Sequence, residues 1–215
     1  MSNVMETIEQ AGIVPVIKMD SARHAAPLAR TLSEAGLPIA EITFRTDAAE
    51  AAIRAVAQAM PDVMLGAGTV VNVDQAKAAL DAGARFIVAP GFNPKVVDYC
   101  IQQNVPVMPG ISTPTDIEMG LDRGLRVLKF FPAEAAGGTK MLKALSGPYK
   151  EVKFVPTGGI KPENLGEYLS LPSVVACGGS WIVPQRALSE ERFDEIDKLV
   201  REALELVAQA RKQNG

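Results

Sequence analysis

A lysine inside an apolar run is the first residue with chemistry to offer. In Arg126-Val-Leu-Lys-Phe-Phe-Pro-Ala-Glu134, Val127, Leu128, Phe130 and Phe131 read as a short strand ended by Pro132, which has no N–H for a ladder. Lys129 lies within that run, whereas a surface lysine more often falls at an end or on a polar face. Two readings are open. Its stem can pack while the ammonium reaches outward, or the amine is held away from water, where it can attack a ketone and form a Schiff base. A second group lies near Ile39-Ala-Glu-Ile-Thr-Phe44. Strand alternation there puts Glu41, Thr43 and Arg45 on one face and Ile42 and Phe44 on the other. A carboxylate, a hydroxyl and a guanidinium aimed at an interior are costly unless paired or used. Either Glu41 pairs with Arg45 as structure, or the face does chemistry.

Two Gly-rich turns, Pro156-Thr-Gly-Gly-Ile160 and Gly178-Gly-Ser-Trp181, bring a different capacity. Paired glycines let backbone N–H groups approach a phosphate, and a helix N-terminus favours its charge. Gly158, Gly159, Gly179 and Ser180 are therefore candidate phosphate-binding residues. Gly66-Ala-Gly-Thr69 leaves a small hydroxyl residue beside bare backbone. Ala89-Pro90-Gly91 and Pro109-Gly-Ile-Ser-Thr113 suggest the walls of a pocket.

These groups need elements to position them. After an amphipathic segment over 4–11, an apolar strand, a turn and an Ala-rich helical pattern recur along the chain. The predicted strands cover 13–18, 39–44, 63–67, 86–89, 105–108, 127–131, 152–155 and 174–177. The predicted helices run from an Asp20-Ser21 cap to Ala35, over 47–59, 73–82 and 94–103, from Pro114, over 138–146, from Pro162 and over 190–211. A short helix is expected after Gly178-Gly-Ser-Trp181. Eight such units predict an α/β fold, a (β/α)8 TIM barrel with an N-terminal helix, as one domain over residues 1–215. The near-continuous apolar strands suit a parallel sheet covered by helices. A doubly wound open sheet would normally carry a GxGxxG turn after its first strand, where this chain has Lys-Met-Asp-Ser-Ala. In a barrel, reactive groups lie at the C-terminal strand ends, and loops seven and eight are the usual phosphate site. The tail from Lys212 onward is expected to fray.

Composition narrows the function. Hydrophobic residues make up 47% and aromatics 5%, so the core is aliphatic. A net charge of −3 gives no basic footprint for nucleic acid. Cys100 and Cys177 have neither metal-site nor CxxC spacing and fit a reduced compartment, so the expected location is cytoplasmic. The N-terminus has no signal-peptide pattern, and no apolar run is long enough to span a bilayer. The single histidine, His24, falls in a helix pattern, which leaves a zinc site without ligands. What remains is a buried lysine, a facing carboxylate, an arginine and a phosphate site. An iminium formed on Lys129 can act as an electron sink, Arg45 can fork onto a carboxylate and Glu41 can shuttle protons. Those are the parts of a metal-independent aldolase acting on a phosphorylated 2-keto acid.

Six motifs in order, Glu41-Ile-Thr-Phe-Arg-Thr46, Gly66-Ala-Gly-Thr-Val70, Pro109-Gly-Ile-Ser-Thr113, Lys129-Phe-Phe-Pro-Ala-Glu134, Pro156-Thr-Gly-Gly-Ile160 and Gly178-Gly-Ser-Trp181, resemble the 2-keto-3-deoxy-6-phosphogluconate aldolase family. The likeness runs from about Gly12 to Pro184. It implies a class I aldolase on a (β/α)8 barrel, usually a homotrimer, serving the Entner–Doudoroff pathway. The substrate is cleaved to pyruvate and glyceraldehyde 3-phosphate, and 4-hydroxy-2-oxoglutarate is often cleaved as well. No metal or other cofactor is implied, because the substrate is held as a covalent Schiff base. By the resemblance Lys129 is the Schiff-base lysine and Glu41 the acid/base group. Arg45 and Thr69 contact the pyruvate carboxylate, and Pro90, Phe131 and Thr157 contact the substrate. Gly158, Gly159, Gly179 and Ser180 hold the phosphate. Departures are confined to Val155, where many relatives carry cysteine, and Lys18, a second lysine at a strand end expected to meet solvent. Two alternatives stay open: a sister aldolase for the galactonate-derived epimer, and a non-catalytic sugar-phosphate-binding barrel in which Lys129 only packs.

Overall fold

In the computed structural model, which describes residues 2–212, the strand–helix alternation of the sequence is realised with every strand pair parallel. The strands are β1 (Ile13–Ile17), β2 (Ile39–Thr43), β3 (Met64–Gly68), β4 (Phe86–Val88), β5 (Val107–Met108), β6 (Gly110–Ile111), β7 (Val127–Phe130), β8 (Lys153–Pro156) and β9 (Cys177–Gly179). The helices are α1 (Ser2–Ala11), α2 (Ala25–Glu34), α3 (Ala49–Ala59), α4 (Val73–Asp81), α5 (Pro94–Gln102), α6 (Pro114–Leu121), α7 (Gly138–Ser146), α8 (Pro162–Leu169), α9 (Gln185–Ser189) and α10 (Phe193–Lys212). Nearly every strand residue is buried, because helices cover the outer face while side chains fill the inner one. That two-sided burial explains the unbroken apolar runs.

The strands form two sheets, ordered β5-β4-β3-β2-β1-β9 and β6-β7-β8. The predicted fifth strand, 105–108, is corrected to two short pieces with Pro109 between them. Proline has no N–H to continue a ladder, so β5 pairs with β4 while β6 pairs with β7. The Pro109 carbonyl still accepts from the Lys129 N–H at 3.1 Å. On the other side, the isolated bridges Phe154↔Val174 and Thr157↔Gly178 link β8 to the segment containing β9. The predicted eighth strand, 174–177, is shifted to β9, whose Cys177, Gly178 and Gly179 register with Ile13, Val14 and Pro15. Glycines carry that ladder, and no side-chain alternation announced it.

Helix starts follow local chemistry. Asn72 caps α4 by accepting from the Gln75 N–H at 2.8 Å. Thr113 and Asp116 form a capping box at α6, with Pro114 at its first turn. The predicted Asp20-Ser21 cap does not form. The Asp20 carboxylate is taken by Lys18 at 2.9 Å and Gln185 at 2.6 Å, and the chain enters α2 through a 3-10 turn over Ala22–His24 without a side-chain cap. In α10, Ile196, Val200, Ala203, Val207 and Ala210 recur every three or four residues and are buried, laying one stripe against α8 and α2. Near its end, the Arg211 guanidinium donates to the Gln10 carbonyl at 2.7 Å and also to that of Glu9, so it closes the C-terminal turn of α1. Of the tail expected to fray, Lys212 is helical and residues 213–215 lie outside the described ones. No helix among the described residues is long and apolar enough to cross a membrane.

Candidate active site

Lys129 of β7 is 5% exposed and Glu41 of β2 is 4% exposed. Their strands belong to different sheets, and the two buried side chains meet between them. Lys129 Nζ stands 3.7 Å from Glu41 Oε1. That is ion-pair range but too long for a hydrogen bond. Glu41 Oε1 is buried with no hydrogen-bond partner among the described residues. An orphaned carboxylate oxygen in an interior is costly, and such groups concentrate where a ligand or proton is to be received. The Phe131 ring lies beneath the same ammonium, with its centroid 5.3 Å from Nζ.

Space for the Glu41 carboxylate comes from the neighbouring strand. A Cβ on Gly68 would lie 2.0 Å from Glu41 Oε1, so only glycine leaves the carboxylate where it is. The suggested Glu41–Arg45 pairing is not formed. Arg45 Nε donates instead to Thr43 Oγ1 at 2.9 Å, and that hydroxyl donates to the Ile17 carbonyl, also at 2.9 Å. The arginine is thus steadied at the strand end, and the rest of its guanidinium is free to meet an anion. The other strand lysines are engaged elsewhere: Lys18 pairs with Asp20 and is exposed, and Lys153 donates to the Pro172 carbonyl at 2.8 Å.

A cavity of about 120 Å³ joins three of the residues predicted for the phosphate with Arg45, predicted for the carboxylate, and with Phe131 and Thr157, predicted for the rest of the substrate. Arg45, Phe131, Thr157, Gly158, Gly159, Gly178 and Ser180 are among its lining. Gly158 and Gly159 have φ of +98° and +82°, a region that favours glycine. The carbonyls of this turn are bonded: Thr157 O accepts from Ala133 N at 2.8 Å, Gly158 O from Glu134 N at 3.1 Å and Gly159 O from Asn164 Nδ2 at 3.0 Å. With the carbonyls committed to those partners, its amides are the edge available to an anion. The Thr157 hydroxyl makes only a long contact, 3.5 Å, to the Val155 carbonyl, so it does not cap the turn. Gly178 gives it room, since a Cβ there would lie 2.3 Å from Thr157 Oγ1. Gly179 is not among the residues lining the cavity; a Cβ there would lie 2.2 Å from the Trp181 ring, so the bare backbone makes room for the indole.

Thr69 directly follows Gly68 and has φ +57°, a strained value for a β-branched residue. Pro90 borders a separate hollow of about 240 Å³ with Val70, Val71 and Phe92. A roomier cavity, about 570 Å³, lies between α1, the 169–175 segment and Arg211, away from all these strand ends. His24 is buried beside Glu191 at 3.3 Å, remote in its contacts from Lys129. Among the described residues no cluster of three or more His, Cys, Asp or Glu could hold a metal. The sequence reading missed Gly68, Glu134 and Asn164 as residues that shape the site. Glu134 was within sight as the last residue of the lysine motif, but its partner, the carbonyl of Gly158, is not a pattern that spacing reveals.

Set beside known proteins, the chain matches the model of the KDPG and KHG aldolase family over residues 4–199. A 2-dehydro-3-deoxy-phosphogluconate aldolase of Treponema pallidum (strain Nichols) is 47% identical over 96% of this chain and 99% of its own. Among solved structures, a KDPG aldolase from Legionella pneumophila, with pyruvate captured at low pH as a covalent carbinolamine intermediate, superposes with a TM-score of 0.89 at 38% identity, covering 92% of this chain and 96% of that one. The 2-keto-3-deoxy-6-phosphogluconate aldolase of Zymomonas mobilis ZM4 with 3-phosphoglycerate gives a TM-score of 0.89 at 35% identity, covering 94% and 95%.

Proposed function

Because the chain belongs to the KDPG and KHG aldolase family, we propose that the buried pair Lys129–Glu41 carries its reaction. The enzyme is a Schiff-base aldolase that cleaves 2-keto-3-deoxy-6-phosphogluconate to pyruvate and glyceraldehyde 3-phosphate, a step of the Entner–Doudoroff pathway. The proximity of a buried amine to an orphaned buried carboxylate is the observation that carries the assignment of roles. The Lys129 ammonium first passes a proton to the Glu41 carboxylate, and the freed amine attacks the C2 ketone to give a carbinolamine. Glu41 supplies the proton with which hydroxide leaves as water, forming the iminium. The same carboxylate then takes the C4 hydroxyl proton. The C3–C4 bond breaks, its electrons moving into the iminium to give an enamine, and glyceraldehyde 3-phosphate departs. Protonation at C3 and hydrolysis release pyruvate and restore the amine. This sequence draws on no metal or organic cofactor.

Arg45, held by Thr43, binds the substrate carboxylate together with Thr69, while Pro90 and Phe131 bound the chain of the keto acid. The phosphate lies on the amides of Gly158 and Gly159, with Ser180 assisting and Gly179 holding the course of β9 beneath it. 4-Hydroxy-2-oxoglutarate, which has no phosphate, serves as a second substrate at the same lysine. Single-domain closure into a (β/α)8 barrel completes the reading: β5 and β6 are two halves of one strand, and the bridges from β8 to Val174 and Gly178 join the ends of the ring. A cytoplasmic homotrimer is the expected form. Incubation with pyruvate and borohydride tests the central assignment. One pyruvate-derived group should be found at Lys129 by peptide mass mapping. Label at Lys18 or Lys153 would refute it, and no label at all would favour a sugar-phosphate-binding protein without catalysis.

A further inference from the structure

A carboxylate beside a phosphate seat is electrostatically unfavourable, yet Glu134 adjoins the Gly158-Gly159 turn. Its N–H donates to the Gly158 carbonyl at 3.1 Å, and its stem packs on Gly159, where a Cβ would lie 2.5 Å from Glu134 Cγ. The far end of the side chain is not loose. Tyr168 of α8, 1% exposed, donates its phenolic hydrogen to Glu134 Oε1. The helix bearing this phenol begins at Pro162, immediately after the turn, and Thr139 Oγ1 ties α7 to α8 through Glu167 Oε1 at 2.5 Å.

We infer that Tyr168 and Glu134 form a latch that positions the phosphate-binding turn, so that both are positioning residues for the phosphorylated end of the substrate. The inference rests on the phosphate reading given above. The phenol draws the carboxylate toward α8 and takes up part of its charge. The stem of Glu134 meanwhile presses on Gly159 and keeps the turn in its left-handed conformation. Burial, and then the Glu134 carboxylate itself, hold the Tyr168 hydroxyl well above its ordinary range. It therefore stays a proton donor through the whole working pH of an enzyme.

The test is Tyr168→Phe, which keeps the ring and removes the bond, assayed on 2-keto-3-deoxy-6-phosphogluconate and on 4-hydroxy-2-oxoglutarate. KM for the phosphorylated substrate should rise about three- to tenfold with kcat little changed, the factor an ordinary hydrogen bond carries. Both constants for the unphosphorylated substrate should stay as in the wild type. Glu134→Ala should repeat the pattern and serves if the tyrosine variant fails to fold, while Glu134→Gln, which keeps an acceptor oxygen, should restore most of the affinity. Equal losses on both substrates, or no loss on either, would overturn the latch. Ser180→Ala run in parallel separates the two claims. If it discriminates between the substrates and the latch variants do not, only the latch falls; if it does not discriminate, the phosphate reading falls.

Discussion

Replacing Gly68 by alanine should disable the enzyme while leaving it folded. The added Cβ would sit 2.0 Å from Glu41 Oε1 and 2.7 Å from Cδ and Cγ of the same side chain. These atoms belong to the movable part of a glutamate, so the clash is relieved by rotating the carboxylate away, at little cost in stability. To regain ordinary contact the oxygen must retreat by more than about 1 Å, and displacement of that size costs a reacting group roughly 10²-fold. The expected loss in kcat is thus of the same order as that of Glu41→Gln, roughly 10²-fold for an acid/base group. Gly66→Ala is the control on the same strand. Its Cβ would meet the Phe86 ring at 2.2 Å, a rigid obstacle, so it should lower stability by about 1–3 kcal/mol of overpacking. Steady-state kinetics and thermal melts of the two variants should therefore diverge, with Gly68→Ala losing turnover at a near-normal Tm and Gly66→Ala losing more of its Tm. A Gly68→Ala enzyme with wild-type kcat would refute both the role of Glu41 and the need for room beside it.

Thr157→Val should lower kcat/KM for the gluconate-derived substrate several-fold, consistent with one hydrogen bond of ~1 kcal/mol to the C4 hydroxyl, and narrow the gap to the galactonate-derived epimer; an unchanged ratio measured on the two purified epimers would move the discrimination elsewhere. Burial pushes the Cys100 thiol up to about 11 and the Cys177 thiol higher still. Because the reactive form is the thiolate, neither should react with iodoacetamide at pH 8 until the protein is unfolded, as intact mass will report.

Lys129 was legible because a cation in an apolar run is conspicuous in one dimension, and the paired glycines of 158–159 because a turn needing free backbone has a compositional mark; Gly178 and Gly179, read as a second such turn, lie in strand β9 instead. What organises Glu41 was not. Gly68 lies beside it through the register of β2 with β3, in which Thr43 faces Gly68, and the glutamate leans along its strand to reach that gap. No spacing rule within one strand encodes a partner on the next. Strand ends were misplaced for similar reasons: β9 consists of Cys-Gly-Gly, with no alternation to follow, and Pro109 interrupts a ladder that an apolar pattern alone would continue. The missing cap at Asp20 has a tertiary cause, since Gln185, distant in sequence, captures the carboxylate.

Arg211 holding the carbonyls of Glu9 and Gln10 has a consequence for connectivity. The end of α10 is thereby tied to the C-terminal turn of α1, so elements from opposite ends of the chain meet in space. A circular permutant that joins α10 to α1 by a flexible linker long enough to run back along the ten residues of α1, and that opens the chain at Gly124, would keep every ladder and helix contact described here. A side chain at Gly124 would meet nothing within 4 Å, and the residue lies in an exposed connection between α6 and β7. The strand bearing Lys129 would then become the first to leave the ribosome, although the fold it enters is unchanged.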